Sequence, residues 1–142
     1  MMTLQACPYD IGEILYHAPP MILVDRVDQY DDQTVISSVK ITADSPFLDG
    51  NAVPSYVGIE YMAQSIAAYS GIKALKAGAA PKIGYLVSAR DMTLQTRQFV
   101  IGETLEIAVY LVYDETPMAV FDCTIKRDGV TVAEARLNVY QP

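Results

Sequence analysis

The fold of this chain is decided by Val53-Pro-Ser-Tyr-Val-Gly-Ile-Glu-Tyr-Met-Ala-Gln-Ser-Ile-Ala-Ala-Tyr-Ser-Gly-Ile72. Between Ser55 and Ile72 this stretch carries one charged residue, Glu60, and most of its other side chains are apolar, aromatic or small. Pro54 and Ser55 stand where helices commonly begin. A helix of this composition is normally buried on most sides. We therefore expect a central helix that ends near Lys76, with a sheet packed around it.

Glu60 is the first candidate for chemistry. A carboxylate in a buried apolar helix costs free energy unless it is paired or has a function. We expect burial to keep this carboxyl protonated near neutral pH, which suits a general acid. The alternative is a structural ion pair with Arg90 or Arg97 across a dimer interface.

The rest of the chain is dominated by strand patterns, with alternating apolar and polar residues between turn signals. The predicted elements are a short helix at 11–15 and strands at 22–27, 34–42, 82–94, 103–113, 118–126 and 130–140. Asp128-Gly129 is typical of a hairpin turn. Two strands, one long helix and four antiparallel strands predict an α+β fold in one domain, residues 1–142. Since so large a sheet leaves open edges, we expect at least a dimer.

Composition excludes several classes of protein. With 51% apolar residues the chain is globular and not disordered. We expect no signal peptide and no membrane span, because the apolar stretch contains Glu60, Gln64 and several serines, and we expect a cytoplasmic protein. Cys7 and Cys123 are then expected to be reduced, and a disulfide between them is the alternative. One histidine without nearby cysteines disfavours a metal site.

The net charge of −7 disfavours nucleic acid as a partner, since no basic stripe is present. Lys73, Lys76 and Lys82 form the only local basic cluster, just after the predicted helix. Cations suit the C-terminal end of a helix, so a solvated helix end explains the cluster. The alternative is a docking surface for an acidic partner.

Three segments carry a resemblance to a known family: His17-Ala-Pro-Pro-Met-Ile-Leu-Val-Asp-Arg-Val27, Ser45-Pro-Phe-Leu-Asp-Gly50 and residues 53–64. They are similar to His-Arg-Tyr-Pro-Phe-Leu-Leu-Val-Asp-Arg-Val, Glu-Pro-Phe-Phe-x-Gly and Phe-Pro-Gly-Val-Leu-x-x-Glu-Ala-Met-Ala-Gln of the 3-hydroxyacyl-ACP dehydratases. Residues 136–142 and the helix motif look closest to the dehydratase-like subunits of aryl-polyene pathways. The resemblance implies the hot-dog fold, in which a mostly antiparallel sheet of five to six strands wraps a long central helix.

The resemblance also implies an activity, the removal of water from a 3-hydroxyacyl thioester to give the trans-2-enoyl thioester. The setting would be chain elongation of the fatty-acid or polyketide type. The substrate would be carried on the phosphopantetheine of acyl carrier protein (ACP), and the enzyme would need no cofactor of its own. Two alternatives stay open: a hot-dog thioesterase that uses the helix carboxylate to activate water, and a non-catalytic partner of an active paralogue.

One departure from the family affects the site. In the fatty-acid enzymes the catalytic histidine lies in a His-Phe-Pro-Gly segment directly after the glycine that matches Gly50. Here Asn51 follows, and that segment is absent. Glu60 and Gln64 match the family's motif, whereas the catalytic histidine does not carry over. His17, the only histidine, is the candidate base or substrate contact in this chain, with a structural loop residue as the alternative.

Further candidates lie around the helix start. Gln64 is one turn after Glu60 and Tyr56 one turn before it, so all three share a stripe, and we predict that Gln64 and Tyr56 contact substrate. By resemblance, free backbone amides at Val57 and Gly58 polarise the thioester carbonyl. A polar residue that caps a helix interface is the alternative for Gln64, and close packing is the alternative for Gly58. The resemblance also places histidine and carboxylate on different subunits, so a homodimer, or a heterodimer with a paralogue that retains its histidine loop, would form the site.

Overall fold

The computed structural model describes residues 3–17 and 20–142. The apolar stretch forms the long helix α2, preceded by a single 3-10 turn, and strands make up most of the remaining chain. The elements in chain order are β1 (Gln5–Ala6), α1 (Ile11–Ile14), β2 (Arg26–Tyr30), β3 (Thr34–Lys40), β4 (Ala52–Pro54), the 3-10 turn (Ser55–Val57), α2 (Gly58–Lys76), β5 (Tyr85–Leu94), β6 (Gln98–Val100), β7 (Thr104–Glu115), β8 (Met118–Arg127) and β9 (Val130–Tyr140).

One antiparallel sheet holds seven strands in the order β1-β2-β3-β7-β8-β9-β5, and β4 pairs with β6 in a separate ribbon. The α+β prediction of a long helix against an antiparallel sheet is confirmed. The predicted count of five to six strands is too low, because β1 adds a seventh strand by pairing with β2. β1 has two residues, which is too short for any alternation to be visible in the sequence.

The core lies between α2 and the middle strands of the sheet. Met62 and Ile66 of α2 are buried together with the inward side chains Ile107, Ile125 and Leu137 of β7, β8 and β9. These inward positions largely alternate with more exposed ones along the strands, as a sheet with one covered face requires. No helix in the described ranges, 3–17 and 20–142, has the length and apolarity to cross a membrane.

The N-terminal segment is held against α2 by an unusually close approach at Gly71. A Cβ atom added there would lie 1.9 Å from the carbonyl oxygen of Ile14 in α1. Only glycine permits this contact without moving the backbone. The close approach brings the residues that follow α1, including His17, to the side of the helix.

The strand predicted at 22–27 is wrong in its position: β2 runs instead over Arg26–Tyr30. The reason is tertiary. The backbone N–H groups of Leu23 and Val24 donate to the side-chain oxygen of Gln64 at 2.8 and 3.3 Å. Since these donors are bonded to a helix side chain, this segment belongs to the loop that runs along α2.

Strand β5 forms one end of the sheet and is exposed over most of its length. Large apolar side chains are exposed on it and just before it, including Tyr85 at 52% and Val87 at 56%. An unpaired strand edge with exposed apolar side chains is a site for pairing with another chain. The exposed edge of β5 therefore agrees with the expectation, made from the sequence, that a second subunit binds to the sheet.

Candidate active site

A cavity of about 230 Å³ lies between α2, the loop that carries His17, the start of β5 and the end of β9. It brings together three residues predicted from the sequence, namely His17, Glu60 and Gln64. Glu60 and Gln64 reach it because residues four apart on a helix lie on the same side. The other lining residues are Tyr16, Ala63, Ile66, Ala67, Ser70, Lys82, Gly84, Tyr85, Leu86, Val139, Tyr140 and Gln141.

The surroundings of His17 in this cavity favour the neutral form of its imidazole. Burial lowers its pKa from the ordinary imidazole value, and the negative charge of nearby Glu60 opposes that effect more weakly. Among the described residues, nothing forms a hydrogen bond with the buried Nδ1 atom. A histidine that is neutral at physiological pH can accept a proton.

Tyr16 holds the ring of His17 in place. The two rings stack with their centroids 4.1 Å apart and an interplanar angle of 25°. The Tyr16 hydroxyl donates to the backbone oxygen of Gly84 at 3.2 Å, which ties the loop to the segment before β5. Burial, followed by the charge of Glu60, raises the pKa of Tyr16. Sequence reasoning missed Tyr16, because a side chain's direction in a loop cannot be inferred from its spacing.

Glu60 lies at the edge of the cavity and is exposed. The expectation of a buried carboxylate is wrong for the isolated chain, because its own sheet leaves this side of α2 uncovered. Within the described residues the salt bridges involve other carboxylates, and the alternative, an ion pair of Glu60 with Arg90 or Arg97 across a dimer interface, stays a prediction. The exposed carboxylate is therefore free to meet a substrate or a second subunit.

Gln64 is buried, and its amide is bonded at both ends to the loop before β2. Its Oε1 accepts from Leu23 and Val24, and its Nε2 donates to the carbonyl oxygen of Met21 at 2.6 Å. With 3% of the residue exposed, the amide has little room for another partner. These contacts make Gln64 a positioning residue for the loop, and the predicted contact with substrate stays a prediction.

We expect Gln64→Met to destabilise the protein by about 1–3 kcal/mol. Methionine keeps the length of the side chain but leaves two backbone N–H groups and one carbonyl without a partner in a buried place. Urea unfolding followed by circular dichroism measures the change. Gln95→Met is the matched control, since Gln95 is exposed in the loop after β5. Equal unfolding midpoints for the two variants would contradict this role of Gln64.

The other three candidates lie outside the cavity. Tyr56 is 69% exposed, whereas Val57 is buried. The Gly58 N–H is bonded to backbone oxygens of the 3-10 turn, so the expectation of a free amide there is wrong. A Cβ on Gly58 would come within 2.9 Å of Ile125 Cδ1, which agrees with the close-packing interpretation. Contact of Tyr56 and Val57 with a substrate remains a prediction.

Comparison with known proteins gives a consistent result. The model of the ApeP-like family, described as ApeP dehydratase, matches residues 9–142. The 3-hydroxyacyl-[acyl-carrier-protein] dehydratase FabZ of Psychromonas ingrahamii is 28% identical over 90% of this chain and 88% of its own length. The FabZ of Allorhizobium ampelinum is 33% identical, covering 89% of this chain and 83% of its own.

Solved structures agree. The dehydratase heterocomplex ApeI:P from Xenorhabdus doucetiae superimposes with a TM-score of 0.90 and 30% identity, covering 94% of this chain and 91% of that one. A hypothetical thioesterase from Streptococcus pneumoniae, solved with coenzyme A, has a TM-score of 0.64 at 13% identity, over 82% of this chain and 84% of its own. The second likeness shows a shared fold and no more. The first supports the hot-dog architecture together with the dehydratase relationship.

Proposed function

The chain belongs to the ApeP-like dehydratase family, and from this premise we propose that it removes water from a 3-hydroxyacyl thioester carried by ACP. The product is the trans-2-enoyl thioester, formed during chain elongation of the fatty-acid or aryl-polyene type. The observation that carries this proposal is the meeting of His17 and Glu60 in one partly apolar cavity. They supply the base and the acid that elimination of water requires.

The two residues divide the proton transfers. Neutral His17 takes the proton from the carbon next to the thioester carbonyl, and the electron pair of that C–H bond forms the new double bond. Glu60 in its protonated form donates to the hydroxyl group as the C–O bond breaks, so that water leaves. The proton on His17 then returns to the Glu60 carboxylate, which restores the starting protonation of both residues.

The remaining surface of the cavity suits an acyl group. Ala63, Ile66 and Ala67 of α2, Leu86 of β5 and Val139 of β9 all line the cavity. The side chains contribute apolar surface, so they favour a hydrocarbon chain and disfavour water. Exclusion of water also strengthens the electrostatic interaction between the acid, the base and the substrate.

A second subunit is proposed to complete the cavity. Tyr85 and Leu86 line it and also lie on the exposed β5, so a subunit paired with β5 would extend the same wall. The similarity to the ApeI:P heterocomplex supports a heterodimer with a paralogous dehydratase subunit. Such a partner would cover Glu60 at the edge of the cavity. His17 would act as the base from within this chain.

The test is incubation of the purified chain, alone and with its co-expressed paralogue, with 3-hydroxyacyl-ACP. Mass spectrometry of the ACP should show the loss of one water from the acyl group in the presence of the complex. Release of the free hydroxy acid would instead indicate a thioesterase. Failure of the complex to form any product would contradict the proposal.

A further inference from the structure

A second cavity, of about 320 Å³, begins where the active-site cavity ends. Five residues line both spaces: Ile66, Ser70, Lys82, Val139 and Gln141. The second cavity continues along the C-terminal half of α2 toward the turn between β7 and β8. Much of its lining is apolar, with Ala74, Leu111, Met118, Ala119 and Phe121 among its residues.

The side chain of Gln141 lies between the two cavities and is held by two hydrogen bonds. The Ser70 hydroxyl donates to Gln141 Oε1 at 2.7 Å. Gln141 Nε2 donates to the backbone oxygen of Lys82 at 3.0 Å. The backbone is anchored separately, because the Gln141 N–H donates to Pro117 at 2.8 Å. The amide can therefore swing aside by side-chain rotation alone, while the backbone stays in place.

We propose that Ser70 and Gln141 form a polar gate that sets the acyl-chain preference, and that the second cavity receives the distal end of a long acyl chain. This inference rests on the proposed function and names the determinant of its substrate length. Ser70 lies ten residues after Glu60 on α2, which is about 15 Å along the helix axis. Shorter acyl groups end before the gate, whereas longer ones must separate Ser70 from Gln141.

The chemistry of the gate explains why it selects by length. A hydrocarbon chain offers no partner for the hydroxyl or the amide, so opening breaks the hydrogen bonds of the Gln141 amide to Ser70 and to the Lys82 carbonyl without replacing them. The net contribution of one such bond is small, and the gate can open. Lys73, Lys82 and Asp114 also line the second cavity, but every methylene that packs against its apolar residues leaves water, which favours chains long enough to pass well beyond the gate.

The experiment compares 3-hydroxyacyl-ACP substrates of increasing chain length, using the chain in its active complex. Ser70→Ala removes the hydrogen bond at the gate, so the ratio of kcat/KM for long over short chains should rise by roughly threefold to tenfold. Ala74→Leu adds bulk to the second cavity and should lower the same ratio. Ala80→Leu, in the exposed segment after α2 and outside both cavities, is the matched control and should leave it unchanged.

An unchanged ratio in both Ser70→Ala and Ala74→Leu would overturn the gate. Calorimetric titration with saturated acyl-pantetheine thioesters of increasing length measures the length preference of binding without turnover. If no 3-hydroxyacyl-ACP is dehydrated but the length preference in binding still shifts, the proposed reaction fails and the gate stands. If short substrates are dehydrated and no variant changes the length preference in binding or turnover, the gate fails and the reaction stands.

Discussion

Glu60→Gln is expected to lower kcat/KM for dehydration of 3-hydroxyacyl-ACP by about 10²- to 10⁴-fold, the range that a general acid contributes. Glutamine has nearly the same shape and keeps an oxygen at the edge of the cavity, but its amide cannot deliver the proton that the leaving hydroxyl needs. Because Glu60 is exposed, the substitution should leave folding intact. A steady-state assay of the heterodimer measures kcat/KM, and thermal unfolding recorded in parallel checks that the variant is folded.

The control for Glu60 is Glu134→Gln, which removes one carboxylate from an exposed position on β9 and changes the net charge equally. It lies outside the cavity, so activity should stay at the level of the unmodified chain. Activity of the Glu60→Gln complex equal to that of the Glu134→Gln complex would mean that the partner subunit supplies the whole catalytic pair. The assignment of Glu60 as acid would then be wrong.

His17→Gln is expected to cause a loss of similar size, about 10²- to 10⁴-fold, because glutamine cannot take up the substrate proton. In the unmodified complex, the acid limb of the pH profile should reflect His17. The base works only when neutral, and its lowered pKa keeps it neutral to a lower pH than a free imidazole. Loss of activity should therefore begin below the usual imidazole value of about 6.5.

The single histidine allows a direct check on this second prediction. Proton NMR of the isolated chain would show one imidazole titration, with its midpoint below that of a model peptide. A midpoint at or above the model value would contradict the neutral base. Full activity of the His17→Gln complex, together with an unchanged acid limb, would show instead that a histidine of the partner subunit takes the proton.

Elements with a local signal were predicted well. The last strand, Val130–Tyr140, has the bounds expected from its position after Asp128-Gly129, where both turn residues adopt positive φ. The helix was recognisable because its composition leaves one charged residue in a long apolar run. The strand near residue 22 was misplaced, since Gln64 binds its backbone from another element. No local pattern reports a contact between residues about forty positions apart.

For the site, the sequence alone determined which residues were worth considering, namely Glu60 on its helix, Gln64 one turn away and a single histidine near the N-terminus. Residue type and helical spacing are local properties, so these candidates could be named without coordinates. The tertiary structure decided that His17 and Glu60 line one cavity, that Tyr16 stacks on the imidazole and that Gln64 holds the loop. It also decided that Glu60 is exposed, because burial depends on which surfaces the rest of the chain covers, and no single segment encodes that.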